Sequence, residues 1–120
     1  MLLSIVIPYH TETKVDVYSL MVSLNEQVGI NFNDIEVLMC NDMEEEAPLD
    51  KENFTELTRV SPRIRHLKSP YRNNPGLSRQ FGIDNCKGDY VFFCDADDSL
   101  YHVAVLRELI ENINLSKSDM

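Results

Sequence analysis

Three runs of nearly unbroken apolar residues set the tightest limit on what this chain can become: Ile5-Val6-Ile7, Val37-Leu38-Met39-Cys40 and Tyr90-Val91-Phe92-Phe93-Cys94. Each is short enough for a strand and too short for a helix, and all are rich in β-branched, aromatic or other large apolar residues. A strand that is apolar on both sides must be covered on both faces, the situation of a central strand in a parallel sheet. A fourth run, Ile64-Arg65-His66-Leu67, alternates in polarity and is expected nearer an edge.

Helix-like segments separate these runs. Val17, Leu20, Met21, Leu24 and Val28 recur at steps of three and four, which places them on one helical face. A second helix is expected from Asp50 as N-cap, with Phe54 and Leu57 turned inward. A third is expected after Gly76, through Leu77, Phe81 and Ile83, with Gly88 as its left-handed stop. Val103, Leu106, Ile110 and Ile113 form the stripe of a fourth. Strands alternating with helices need crossover connections, so the expected fold is α/β, with a mainly parallel sheet flanked by helices.

Composition removes several other classes. At 120 residues the chain fits one domain, a size that buries about two-thirds of the surface its unfolded chain exposes. Its 43% hydrophobic and 26% charged residues are the balance of a globular protein rather than a disordered one. No apolar run approaches the roughly 20 residues of a membrane span. Met1 to Pro8 lacks a basic leader region and reads as a buried strand, so a cytoplasmic location is expected. A net charge of -9, with eleven Lys and Arg scattered along the chain, disfavours nucleic acid as a partner. Cys40, Cys86 and Cys94 are odd in number and lack metal-ligand spacing, so reduced core thiols are expected.

The chemistry lies where the apolar runs stop. The first passes into Pro8-Tyr9-His10-Thr11-Glu12, the second into Asn41-Asp42 and the last into Asp95-Ala96-Asp97-Asp98. Parallel sheets bind ligands beyond the carboxyl ends of their strands, so these three ends are expected to line one crevice. Three carboxylates within four residues repel one another unless a cation sits among them. Hard oxygen donors of this kind suit Mn2+ or Mg2+, and a cation there would attract a diphosphate. The same acids are also ordinary capping and turn residues for a helix that starts near Tyr101, and both readings stand at this point.

Five segments in order resemble the successive motifs of family-2 glycosyltransferases: Ser4 to Glu12, Ile35 to Asp42, Pro62 to Arg65, Pro75 to Ile83 and Lys87 to Asp98. The resemblance implies a Rossmann-like GT-A fold, cut short after the Asp-X-Asp region, that binds a nucleotide-sugar donor for metal-dependent, inverting transfer. It implies that Pro8, Tyr9 and His10 lie along the nucleoside, and that Glu12 touches the ribose or base. Asp42, beside Asn41, would accept from a base imide N–H, which favours a uridine or thymidine diphosphate sugar. Arg79 would contact the base or a phosphate. Asp97 and Asp95 would serve the metal, Asp95 also the ribose, and Asp98 the sugar hydroxyls. The chain departs from the family pattern in three places: His10 stands where an aromatic Tyr is usual, Asn41-Asp42 where two acids are usual, and Asn73-Asn74-Pro75-Gly76 where more glycine is common.

Nothing after Asp98 is suited to act as a general base, because Glu108 and Glu111 lie on a helix whose stripe faces the core. The base and the acceptor-binding half are therefore expected beyond Met120, with residues 1–120 forming the donor-binding part. The acceptor, whether carbohydrate, lipid-linked or protein, is not indicated. Cutting a sheet at this point is expected to leave a face through which the chain self-associates. Two alternatives come from other classes. A sugar nucleotidyltransferase would need a glycine-rich basic loop after the first strand, which Pro8 to Glu12 is not. A non-catalytic nucleotide-binding α/β module would keep the strand-end acids without transfer.

Overall fold

The computed structural model describes residues 2–9, 14–41, 54–68, 70, 75–94 and 103–118. Its elements are β1 (Leu3–Tyr9), α1 (Lys14–Asn25), β2 (Ile35–Asn41), β3 (Ile64–Lys68), α2 (Pro75–Asp84), β4 (Tyr90–Phe93) and α3 (Val105–Ser118). Short 3-10 turns, Phe32–Asp34 and Ser61–Arg63, lead into β2 and β3. The four strands form one sheet in the order β3-β2-β1-β4, and every pairing is parallel.

Alternation along the strands divides the core in two. Leu3, Ile5 and Ile7 of β1, with Val37 and Met39 of β2, face a large cluster. There they meet Val17, Leu20, Met21 and Leu24 of α1, Leu106 of α3, and Phe54 from the segment before β3, all of them buried. Val6, Leu38 and Cys40 face the other way, toward α2. That helix lies so close that a Cβ added at Gly82 would stand 2.6 Å from Val6 Cγ1 and 3.2 Å from Cys40 Sγ. The helices take opposite faces because the two crossovers run opposite ways. β1-α1-β2 steps toward β3, whereas β3-α2-β4 returns past β1, and a right-handed connection in each direction lands on a different side.

Several expectations need correction. The run at Tyr90 was expected to form a central strand, yet β4 is at the sheet edge among the described residues, with Val91 37% and Phe93 40% exposed. Its apolar character reflects coverage that the described residues do not supply. Val28 does not continue the α1 stripe: the helix ends at Asn25, and Gly29, at φ 77°, turns the chain away and leaves Val28 exposed. Phe54 is 3-10 helical and residues 55–60 continue as turns, with Leu57 N–H donating to Phe54 O (2.9 Å), and Phe54 and Leu57 are buried as expected. The proposed cap at Asp50 lies outside the described residues. Gly88 is not a left-handed stop; it is glycine because it lies against Ser4 of β1. Val103 precedes α3 and is exposed, so the stripe of that helix begins at Leu106.

Candidate functional site

The register of the sheet shapes its carboxyl edge. Tyr9 lies opposite Asn41, and Asn41 opposite Lys68, so β1, β2 and β3 finish level. β4 does not reach that row. Its last residue, Phe93, pairs with Val6, and the Cys94 N–H then donates to Val6 O at 3.0 Å. At about 3.3 Å per residue, β4 stops roughly 10 Å below the level of Tyr9. The edge is therefore stepped between β1 and β4. This is also where the strand order reverses, since β1 leads off to β2 on one side while β4 arrives on the other. Open α/β sheets bind ligands in the crevice at such a reversal.

Four of the sequence-derived site residues, Pro8, Tyr9, Asn41 and Arg79, are among the described residues. Pro8 is half-buried, Tyr9 closes β1, and Asn41 closes β2 beside it. Arg79 lies on α2 and is half-buried. His10, Glu12, Asp42, Asp95, Asp97 and Asp98 lie outside the described residues. His10 directly follows Tyr9, Asp42 follows Asn41, and Asp95 follows Cys94. Four residues of chain from Phe93 to Asp97 span at most about 14 Å, enough to regain the level of Tyr9. α2 ends near the amino edge, where Lys87 and Gly88 are tied to β2 and β1, so its Pro75 end points toward the carboxyl edge. The positive end of its dipole favours an anion on that side.

Among the described residues, no group of His, Cys, Asp and Glu could hold a metal. The acid-rich segment itself fits a hard divalent cation by its chemistry, because Asp95, Asp97 and Asp98 offer only carboxylate oxygens. The thiols offer no competing site. Cys40, Cys86 and Cys94 form no disulfide; Cys40 and Cys94 are buried, and burial pushes the Cys40 thiol up to about 12.

Below the crevice lies a polar cluster that the sequence reading did not single out. Glu36, almost wholly buried in β2, accepts from Ser4 Oγ at 2.5 Å, from the Lys87 N–H at 2.6 Å and from Arg65 Nη1 at 2.7 Å. Arg65 Nη1 also donates to Asn85 O at 2.9 Å, and the Gly88 N–H donates to Ser4 Oγ at 2.8 Å. Burial alone would raise the Glu36 carboxyl pKa, but these donors outweigh it and hold the group below the ordinary carboxylate value. The available signal was a charged residue inside an otherwise apolar strand, Ile35 to Cys40.

A scan of the sequence against known families matches glycosyl transferase family 2 over residues 4–119. The chain belongs to glycosyl transferase family 2. The family-2 match spans all five motif segments and both halves of the stepped edge. Solved structures agree on the fold. S. aureus TarS aligns with a TM-score of 0.76 at 21% identity over 95% of this chain and 20% of that one. A shorter form of TarS in complex with UDP-GlcNAc aligns with a TM-score of 0.75 at 20% identity, over 95% of this chain and 31% of that one. The mannosyltransferase PcManGT from Pyrobaculum calidifontis, in complex with GDP-Man and Mn2+, gives 0.73 at 14%, over 91% of this chain and 31% of that one. At these identities the likeness establishes a Rossmann-like GT-A fold. The chain spans between a fifth and a third of the proteins it aligns with. A comparison with curated proteins finds no match.

Proposed function

We propose that this family-2 chain is the donor-binding part of a glycosyltransferase that moves a sugar from a nucleotide sugar to an acceptor hydroxyl with inversion. The observation that carries the reading is the step between β1 and β4 at the strand-order reversal, with Asp95-Ala96-Asp97-Asp98 next in sequence after Cys94. Pro8, Tyr9 and His10 flank the nucleoside, and Glu12 meets the ribose or base. Asn41 and Asp42 meet the base edge, with Asp42 accepting from an imide N–H; uridine and thymidine carry one. Arg79 contacts the base or a phosphate. Asp97 and Asp95 hold Mn2+ or Mg2+, and Asp98 orients the sugar hydroxyls. The bound cation supplies positive charge against the departing diphosphate.

The binding of UDP-GlcNAc and UDP by TarS, and of GDP-Man with Mn2+ by PcManGT, supports this division of labour. The general base and acceptor pocket belong, on this reading, to sequence beyond Met120. Among the described residues no helix is long and apolar enough to cross a membrane. The exposed Val91 and Phe93 on the open edge of β4 pair with a second copy when the chain is alone.

Calorimetric titration of UDP with and without Mn2+ tests the donor site. Wild-type chain binds UDP more tightly with Mn2+, and Asp97→Ala removes that gain while its circular dichroism is unchanged. Equal UDP affinity of the variant and wild type in Mn2+ would take Asp97 out of the metal site. A turnover assay separates the alternatives: transfer by the 120-residue chain alone would overturn the division into halves. Pyrophosphate release from a sugar phosphate and a nucleoside triphosphate would instead favour a nucleotidyltransferase.

A further inference from the structure

We propose that Glu36 is a positioning residue for the donor diphosphate: its buried carboxylate ties the turn before β4 to the rest of the sheet and so fixes where β4 delivers Asp95 and Asp97. This rests on the donor-site reading above.

β4 has little else to set its register. It is four residues long, it pairs with β1 alone among the described residues, and its side chains alternate between half-buried and exposed. A strand without a well-buried face specifies its register weakly, and a slip of one residue would send every side chain to the opposite face. The cluster around Glu36 opposes it at the amino end of the strand. Glu36 Oε2 accepts from Ser4 of β1 and from the backbone of Lys87, and Oε1 accepts from Arg65 of β3, whose guanidinium also holds Asn85 O. Charge-assisted bonds of this kind are roughly twice as strong as neutral ones. One carboxylate thus joins β1, β2, β3 and the turn Asn85–Gly88.

Two further contacts leave that turn no room to shift. A Cβ on Gly88 would lie 2.6 Å from Ser4 Oγ and 2.7 Å from Ser4 N, and the Tyr90 N–H donates to Leu2 O at 3.0 Å. Glu36 itself cannot reach the donor. The Ser4–Glu36 pair lies five residues below the Tyr9–Asn41 row, a distance of about 17 Å. An effect of Glu36 on the metal–diphosphate contact is therefore indirect, and the turn it holds is the one that leads into β4.

The test compares wild type, Glu36→Gln and the milder Ser4→Ala. Uridine, UDP, and UDP with Mn2+ are titrated by calorimetry well below each variant's unfolding midpoint, and amide hydrogen exchange is read in the ligand-free chain. Uridine affinity should stay within about twofold of wild type, while the Mn2+-dependent gain for UDP falls by about tenfold or more in Glu36→Gln. In the same variant, exchange at Tyr90 to Cys94 should speed by about tenfold, with α1 amides unchanged. Ser4→Ala should show the same pattern at smaller amplitude, and it carries the test if Glu36→Gln does not fold. An unchanged Mn2+ gain in the folded variants, or an equal loss for uridine and UDP, overturns the proposal. If wild-type chain shows no Mn2+-dependent UDP binding, the donor-site reading fails instead. The exchange of the β4 amides then still decides whether Glu36 holds that strand, and unaltered exchange rejects it.

Discussion

Replacing Gln27 by Leu should destabilise the chain by about 1–3 kcal/mol, because it orphans a buried helix-start donor. Gln27 is fully buried beyond the end of α1; its Oε1 accepts from the Leu106 N–H at 2.9 Å, and its Nε2 donates to Ser23 O at 3.1 Å. The first turn of any helix has N–H groups without an intrahelical partner, and here a side chain from another element supplies one. Leucine is close in volume, so the substitution removes the acceptor without opening a large cavity. Leu106 is itself fully buried, so its N–H would find no ready substitute in water. For a domain of this size the loss corresponds to a fall of roughly 3–15 °C in Tm. Urea unfolding followed by circular dichroism gives the free energy, and hydrogen exchange at Leu106 shows whether the start of α3 opens first. A folded Gln27→Leu with wild-type urea midpoint and unaltered exchange at Leu106 would refute the reasoning.

Gly88→Ala should cost about 1–3 kcal/mol by overpacking. The new Cβ would meet backbone, at 2.7 Å from Ser4 N and 2.8 Å from Leu3 C, which cannot swing aside as a side chain can; the urea midpoint measures the loss. Glu36 should contribute to acid denaturation with a definite sign. Its carboxyl is held below the ordinary value by donors that outweigh burial, so its contribution is present above pH of about 4.3 and is lost as pH falls through the lower folded value. The acid limb of a stability–pH curve should therefore be shallower for Glu36→Gln than for wild type, and parallel limbs would contradict this. Phe93→Lys should weaken self-association, read as a lower weight-average mass in sedimentation equilibrium, because it places a charge on the exposed edge strand.

The strands were legible because their information is local. The runs Ile5–Ile7, Val37–Cys40 and Ile64–Leu67 lie within β1, β2 and β3, whose ends extend at most two residues beyond them, and the alternating Ile64 run took an edge among the described residues, as expected. The place of β4 was not legible in the same way. An apolar run reports that something covers a strand, not whether the cover lies within the described residues. Gly88 was misread for a related reason: a glycine after a helix suggests positive φ, but its role depends on Ser4, which is 84 residues away in sequence. The Glu36 cluster likewise joins residues 29 to 51 positions apart, and no windowed pattern registers such a pairing. Of the candidate site, the strand ends Tyr9 and Asn41 were legible, because the apolar runs before them mark where β1 and β2 must finish. Roles within it came from resemblance, since Asp42, Asp95 and Asp97 lie outside the described residues.

The described residues on either side of the acidic segment are tied to the fold by contacts that do not involve its charge. The segment from Asp95 to His102 is bracketed by fixed points. On one side the Cys94 N–H is bonded to Val6 O at 3.0 Å; on the other, Val103 O accepts from the Val28 N–H at 2.8 Å and the Leu106 N–H reaches Gln27. Every one of these ties is made by neutral groups of β1 or of the chain just after α1. Like charges crowded together favour separation, and a chain held at both ends limits how far they can separate. Closing a short loop costs little once its ends are already in place. These ties are chemically independent of the acids between them. Asp97→Ala should therefore leave the sheet intact, whereas Gln27→Leu should loosen one end of the acidic segment without touching its charge.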